Sequence, residues 1–125
     1  IAKIYAAKIS SKKSVKIWGS GKNKREFMYA ADFANFINFA IKNFDKIPSI
    51  MNVGTGKEYS INYYYKIISK ILDYKVNFIN DLKYPNGIKT KLLNISEQKK
   101  LKWSPQYTLE SGIKETCEYY IKNLK

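Results

Sequence analysis

The run Ile17-Trp18-Gly19-Ser20-Gly21-Lys22-Asn23-Lys24-Arg25-Glu26-Phe27 places an aromatic ring, two glycines and a guanidinium within eleven residues. These side chains recognise anions and flat rings. A guanidinium fork grips phosphate oxygens in pairs, and an indole face covers a base or a sugar. Gly19 and Gly21 can adopt φ > 0, so the chain is expected to reverse as a hairpin-like loop between an extended 15–18 and an extended 25–29, with Trp18 on one rim and Arg25 on the other. The residue types alone are equally compatible with a surface hairpin carrying a half-buried Trp. A second stretch, 81–90, centred on Pro85-Asn86-Gly87, is the most polar long loop in the chain. Ligands are read by loops held on rigid elements. Lys91, which follows, is either a phosphate or ribose partner or a solvated lysine.

Other chemistry is missing. The chain has no histidine, the commonest general base, and its one cysteine, Cys117, permits neither an internal disulfide nor a zinc cluster. Asn52-Val53-Gly54-Thr55-Gly56 is not a dinucleotide fingerprint, because no third glycine opens the following helix. No catalytic, cofactor-binding or metal-ligating residue is therefore assigned.

The elements that must position Trp18 and Arg25 alternate between strand-like and helix-like patterns, which predicts a small α/β or α+β lobe. Positions 1–9 have helical spacing, and 15–18 alternates like a half-buried strand. Asp32 is expected to cap a helix whose stripe Phe33, Phe36, Ile37, Ala40, Ile41 and Phe44 faces the core, and to steady the Arg25 strand through local hydrogen bonds. Positions 50–53 read as a short buried strand ending at the Gly54 to Gly56 turn, whose glycines serve the backbone. Ser60 caps a second helix with Ile61, Tyr64, Ile67, Ile68, Ile71 and Leu72 inward and Tyr63 and Tyr65 outward. Positions 76–79 and 91–94 read as strands, and Ser96 caps a brief helix through Lys100. Thr108 caps the last helix, with Leu109, Ile113, Cys117, Tyr120, Ile121 and Leu124 along its inner side and Cys117 as buried filler.

A chain of 125 residues supports one core, and 45% hydrophobic with 15% aromatic residues excludes a disordered composition. No apolar run approaches the roughly 20 residues of a membrane helix, and no secretory signal is present. The chain starts inside a helical pattern without an initiator methionine, which reads as a fragment of a longer protein. The single cysteine fits a reducing cytoplasm. The net charge of +13 attracts polyanions, but lysines are spread over every segment instead of gathering on one stripe. A basic module that binds RNA or DNA through lysines and stacked tyrosines is the rival function.

The order Trp-Gly-Ser-Gly, three residues, then Arg25-Glu26-Phe27, a helix near Asp32 and the later Asn52 to Gly56 turn resembles the carboxyl-terminal substrate domain of the extended short-chain dehydrogenases of the NAD-dependent epimerase/dehydratase family. Within it, the stretch from Tyr84 to Asn94 followed by Leu101-Lys102-Trp103 is most similar to the GDP-L-fucose synthase branch. The resemblance implies that residues 1–125 are a carboxyl-terminal nucleotide-sugar-binding domain whose Rossmann domain, NADP site and catalytic residues lie upstream, so the fragment alone is expected to be inactive. It carries Trp18 and Arg25 onto positions that contact the substrate nucleotide, places Lys91 and, less firmly anchored, Lys3 on basic positions, and gives Tyr29 the family's place for a histidine or tyrosine. Asn86 stands where the branch usually has an aspartate. An aspartate accepts two hydrogen bonds from a guanine edge while an asparagine offers one acceptor and one donor, so a GDP-heptose or a UDP- or dTDP-sugar stays open beside a GDP-4-keto sugar. The implied full-length enzyme is a cytoplasmic homodimer that inverts carbons beside a ketone and reduces it with NADPH.

Overall fold

The half-buried pattern of 14–18 does become a strand, but its partner comes from far along the chain. In the computed structural model, which describes residues 1–124, β1 (Ser14–Trp18) pairs in parallel with β4 (Asn77–Asp81), Ser14 opposite Asn77 and Trp18 opposite Asp81. The short β2 (Lys24–Arg25) pairs antiparallel with β3 (Tyr59–Ser60). The expected hairpin between 15–18 and 25–29 is therefore corrected. Gly19 (φ 70°) and Gly21 (φ 65°) turn the chain tightly, yet the Gly19 N–H donates to Asp81 O at 2.9 Å and Asn23 O accepts from Ile61 N at 3.0 Å. Each side of the turn is thus drawn to a different two-stranded sheet.

Five helices accompany the four strands among the described residues: α1 (Ala2–Ile9), α2 (Ala30–Lys42), α3 (Ile61–Ile71), α4 (Ser96–Lys100) and α5 (Leu109–Lys122). The result is the mixed α/β lobe the patterns predict. Its core is Ile4 of α1, Ile68 and the following Leu72 of α3, and Cys117 of α5, flanked by Tyr5, Tyr65, Tyr74, Phe78 and Ile113. A fully buried Ile contributes about 1.5–3 kcal/mol, so α1, α3 and α5 are held by a few well-placed side chains. Cys117 is buried filler, and burial pushes its thiol upward.

Helix starts follow the expected chemistry at two places. Ser60 accepts from the Tyr63 N–H at 3.2 Å and Thr108 from the Ser111 N–H at 3.1 Å, satisfying donors that the first turn leaves free. Asp32 does not cap α2. The helix starts two residues earlier, at the helix-favouring Ala30-Ala31, with Tyr29 in the cap position, and Asp32 lies buried in the first turn. Asn94 Oδ1, not Ser96, presents the oxygen at the start of α4, accepting from Ser96 N at 3.0 Å.

Four further expectations are corrected. The α2 stripe has the right period, but only Phe36 is buried, edge-on to Trp103; Phe33, Ile37, Ile41 and Phe44 stay exposed, because nothing among the described residues packs over them. Positions 50–53 and 91–94 are irregular, not strands. Side chains satisfy backbone groups beside them: Gly54 exchanges two hydrogen bonds with the Gln98 amide, at 2.8 and 3.0 Å, and Leu93 N donates to Glu26 Oε2 at 3.0 Å. Tyr65 turns inward against Phe78 instead of outward. Ile121 and Leu124 are exposed, since the 14-residue α5 outruns the 11-residue α3.

Candidate functional site

Two loops meet beyond the C-terminal ends of β1 and β4, where Trp18 lies opposite Asp81. One is the glycine turn of 19–23, and the other is 82–90. They are knitted by backbone and amide groups. Ser20 N donates to Asn86 Oδ1 at 2.7 Å, Lys24 N to Lys89 O at 2.9 Å, and Asn23 Nδ2 to the carbonyls of Asn86, Gly87 and Ile88, the last at 3.1 Å. Two amides support the turn from below: Asn62 Nδ2 donates to Ser20 O at 3.2 Å and Asn80 Nδ2 to Gly19 O at 3.3 Å. A side chain at Gly21 would overlap the Asn62 amide.

This scaffold brings four of the five sequence-derived residues to one region. Trp18 is 62% exposed, with the ring of Tyr84 stacked on it at 4.7 Å and 17° and the Lys3 ammonium 4.5 Å from its centroid. Lys3 also donates to Lys16 O at 3.3 Å, so α1 delivers a cation to the indole. Arg25 is half-buried; its Nη1 donates to Ile88 O at 2.9 Å and to Lys24 O at 2.6 Å, while Nη2 faces Gly87. The hydrogen bonds of the guanidinium run through Nη1, and Nη2 donates to no partner among the described residues. Asn86 has its acceptor engaged by the glycine turn, which leaves its Nδ2 as the group facing outward chemistry. Lys91 is exposed on the irregular 91–94 segment, joined to the site through its neighbour loop instead of by direct contact. Lys22, Lys83 and Lys89 lie on the same two loops and Lys24 follows on β2, where it meets Glu58 at 3.8 Å; with Lys3 and Arg25 these cations outnumber the nearby acids Glu26, Glu58 and Asp81, so the region favours an anion.

Glu26 and Gln98 escaped the sequence reading, and Asp32 takes a role other than the one expected of it; all three prove central to the geometry. Glu26 Oε1 accepts from Thr55 N at 2.5 Å, Thr55 Oγ1 at 3.0 Å and Gly56 N at 2.7 Å, and its Oε2 from Leu93 N. Asp32 accepts from Gln106 N at 2.8 Å and Tyr107 N at 3.2 Å; it serves that segment and not the Arg25 strand. Gln98, 1% exposed, holds Gly54. Each partner is distant in sequence, and no local pattern announces it. The Gly54 to Gly56 turn does not fit a dinucleotide: its amide donors are consumed by Glu26 and Gln98, and the Glu26 carboxylate occupies the place a phosphate would need.

The Arg25 strand is anchored from below by Tyr64, whose hydroxyl donates to Arg25 O at 2.7 Å. Burial, with the neighbouring Tyr59, pushes the Tyr64 hydroxyl up to about 12, so it stays a donor through the neutral range. A separate cleft of about 870 Å³ lies between α3, α5 and 27–29, lined by Tyr59, Tyr64, Tyr107 and Ile113; of the five candidate residues only Lys3 borders it. No group of metal-ligating side chains, and no helix long and apolar enough to cross a membrane, occurs among the described residues.

The sequence profile described as "NAD dependent epimerase/dehydratase family" matches residues 1–54, which include the glycine turn and Arg25. GDP-L-colitose synthase of Yersinia pseudotuberculosis is 46% identical over 121 residues, 97% of this chain and 39% of that protein. The chain is similar to proteins of the NAD dependent epimerase/dehydratase family. GDP-L-fucose synthase of Azorhizobium caulinodans is 42% identical over the same share of both chains. Among solved structures, a GDP-6-OMe-4-keto-L-xylo-heptose reductase from C. jejuni superposes with a TM-score of 0.82 at 30% identity, over 90% of this chain and 35% of that one. The lobe thus has the fold of one part of extended short-chain dehydrogenases, and it spans about two-fifths of the length of these epimerase-family relatives.

Proposed function

We propose that residues 1–125 form the carboxyl-terminal substrate-binding domain of an NADP-dependent nucleotide-sugar epimerase/reductase acting on a GDP-4-keto sugar. The observation that carries this reading is the convergence of Trp18, Lys3 and Arg25 on loop 82–90, in a region rich in cations. Trp18 and Tyr84 offer stacking surface, the Nη2 of Arg25, left unengaged by the loop, takes a diphosphate oxygen, and Lys91 neutralises the remaining charge. Lys3 steadies the indole. One buried charge-assisted arginine contact is worth about 1.5–3 kcal/mol. Asn86 positions the loop and offers a donor to the base in place of an aspartate's second acceptor.

On this reading the nicotinamide cofactor and the proton-transfer groups belong to parts of the protein outside these residues. The intact enzyme is a homodimer, and these 125 residues alone turn nothing over. A GDP-heptose is the second reading, favoured by the likeness to the C. jejuni reductase. Calorimetric titration of the domain with GDP, UDP and a short single-stranded oligonucleotide at two salt concentrations tests the proposal. GDP binding that is lost in Arg25→Ala is the expected result. Steeply salt-dependent oligonucleotide binding indifferent to Arg25 would overturn it in favour of a nucleic-acid module.

A further inference from the structure

The carbonyls of Asn86, Gly87, Ile88 and Lys89, in unbroken succession, are all held from the segment 23–25. Asn23 Nδ2 donates to Asn86 O, to Gly87 O at 3.3 Å and to Ile88 O at 3.1 Å, while Lys24 N donates to Lys89 O at 2.9 Å. Residues 82–90 form neither helix nor strand, so these bonds, with that from Ser20 N to Asn86 Oδ1, set the course of the loop. Asn23 has a firm footing for this: its own carbonyl accepts from Ile61 N at 3.0 Å, at the start of α3. Its amide nitrogen is the end that suits the place, because Oδ1 there would face three carbonyl oxygens. Ile88 O is shared, since Arg25 Nη1 also donates to it at 2.9 Å. The other acceptor of Nη1, Lys24 O at 2.6 Å, belongs to the adjoining residue, so Ile88 O is the tie between the guanidinium and the loop. Fixing that carbonyl fixes Nη1, and with it the planar fork and the direction of the unengaged Nη2.

We propose that Asn23 is a positioning residue of the nucleotide site: its amide latches the carbonyls of 86–88 and thereby aims Arg25 at the diphosphate. This rests on the nucleotide reading above. The diphosphate meets Arg25, and Asn23 acts through it. A loop and a guanidinium already ordered in the free protein lose less conformational freedom when the ligand arrives, so the latch raises affinity without a contact of its own. Residues 82–90 are exposed, and the core of the lobe lies on α1, α3 and α5. Releasing the latch therefore weakens binding and leaves the fold standing.

Arg25 is the single arginine of the chain, so its guanidinium signals in a nitrogen-15 spectrum are unambiguous. The rate of exchange between its two Nη signals at low temperature reads how firmly the group is held. Asn23→Leu keeps the size of the side chain and removes the donor without adding charge; Asn23→Ala removes the bulk as well. Both are expected to speed the exchange in the free protein and to weaken GDP binding about fivefold, the worth of one ordinary hydrogen bond, with the urea unfolding midpoint unchanged. The latch is overturned by either variant binding GDP as the parent does, by an exchange no faster than the parent's, or by an unfolding midpoint that falls together with the affinity. Loss of GDP binding in Arg25→Ala would then leave the nucleotide reading standing. No GDP binding to the parent itself overturns both.

Discussion

Asp32 offers the sharpest test of how this lobe is held together. It is 1% exposed, and its carboxylate accepts from the Gln106 and Tyr107 amides at 2.8 and 3.2 Å. Asp32→Ala strands two backbone donors, and each buried group left without a partner costs about 1–3 kcal/mol. Water can enter the space vacated by the carboxylate and recover part of this, so the expected loss is about 3 kcal/mol, a large share of the 5–15 kcal/mol typical of a domain. For a chain of this size that lowers the unfolding midpoint by about 10 °C. Asp32→Asn keeps one acceptor and turns an NH₂ toward the second amide, so its loss falls between wild type and Asp32→Ala. Urea unfolding followed by circular dichroism measures both, and hydrogen exchange locates the effect. The Gln106 and Tyr107 amides should be slow in wild type and fast in Asp32→Ala. A loss below about 1 kcal/mol, or protection unchanged at those two amides, refutes the bridge and reduces Asp32 to a favourable charge at the start of α2.

Gly21→Ala should cost about 2 kcal/mol or more in the same unfolding assay, because φ 65° disfavours any Cβ and the added methyl collides with Asn62; a neutral change would show the turn to be loose. Thr108→Ala should cost about 1 kcal/mol by removing the acceptor for Ser111 N, and Thr108→Ser should restore most of it. Tyr64 keeps its proton in the folded state to about pH 12, whereas the unfolded chain releases it near pH 10. Its stabilising contribution is therefore complete below pH 10 and lost as pH rises to 12. The stability difference between wild type and Tyr64→Phe, about 1 kcal/mol at pH 8, should shrink over that window; a difference that grows would reverse the assignment.

What the sequence reveals here is local, and what it hides is nonlocal. The caps Ser60 and Thr108, the helical stripe around Tyr64 and Ile68, the buried Cys117 and the tight glycine turn all depend on neighbours within four residues, and each is found in place. Strand pairing is not local: an alternating 15–18 says that a strand forms but not that Asn77 to Asp81 completes it. Asp32, Glu26 and Gln98 look like ordinary polar residues until the fold brings 106–107, 54–56 and 93 against them. Periodicity shows that α2 has an apolar face but is silent on what covers Phe33, Ile37 and Ile41. In the site, the types of Trp18 and Arg25 were readable, whereas the stacking of Tyr84 and the inward turn of Asn86 depend on how two loops cross.

The central claim is that a nucleoside diphosphate binds where the glycine turn meets loop 82–90, and amide chemical-shift mapping of the isotope-labelled domain with GDP tests it most directly. The account predicts saturable shifts concentrated at 18–25 and 84–91, absent in Arg25→Ala. Shifts confined to the cleft between α3 and α5, or no saturable shifts at all, would contradict it.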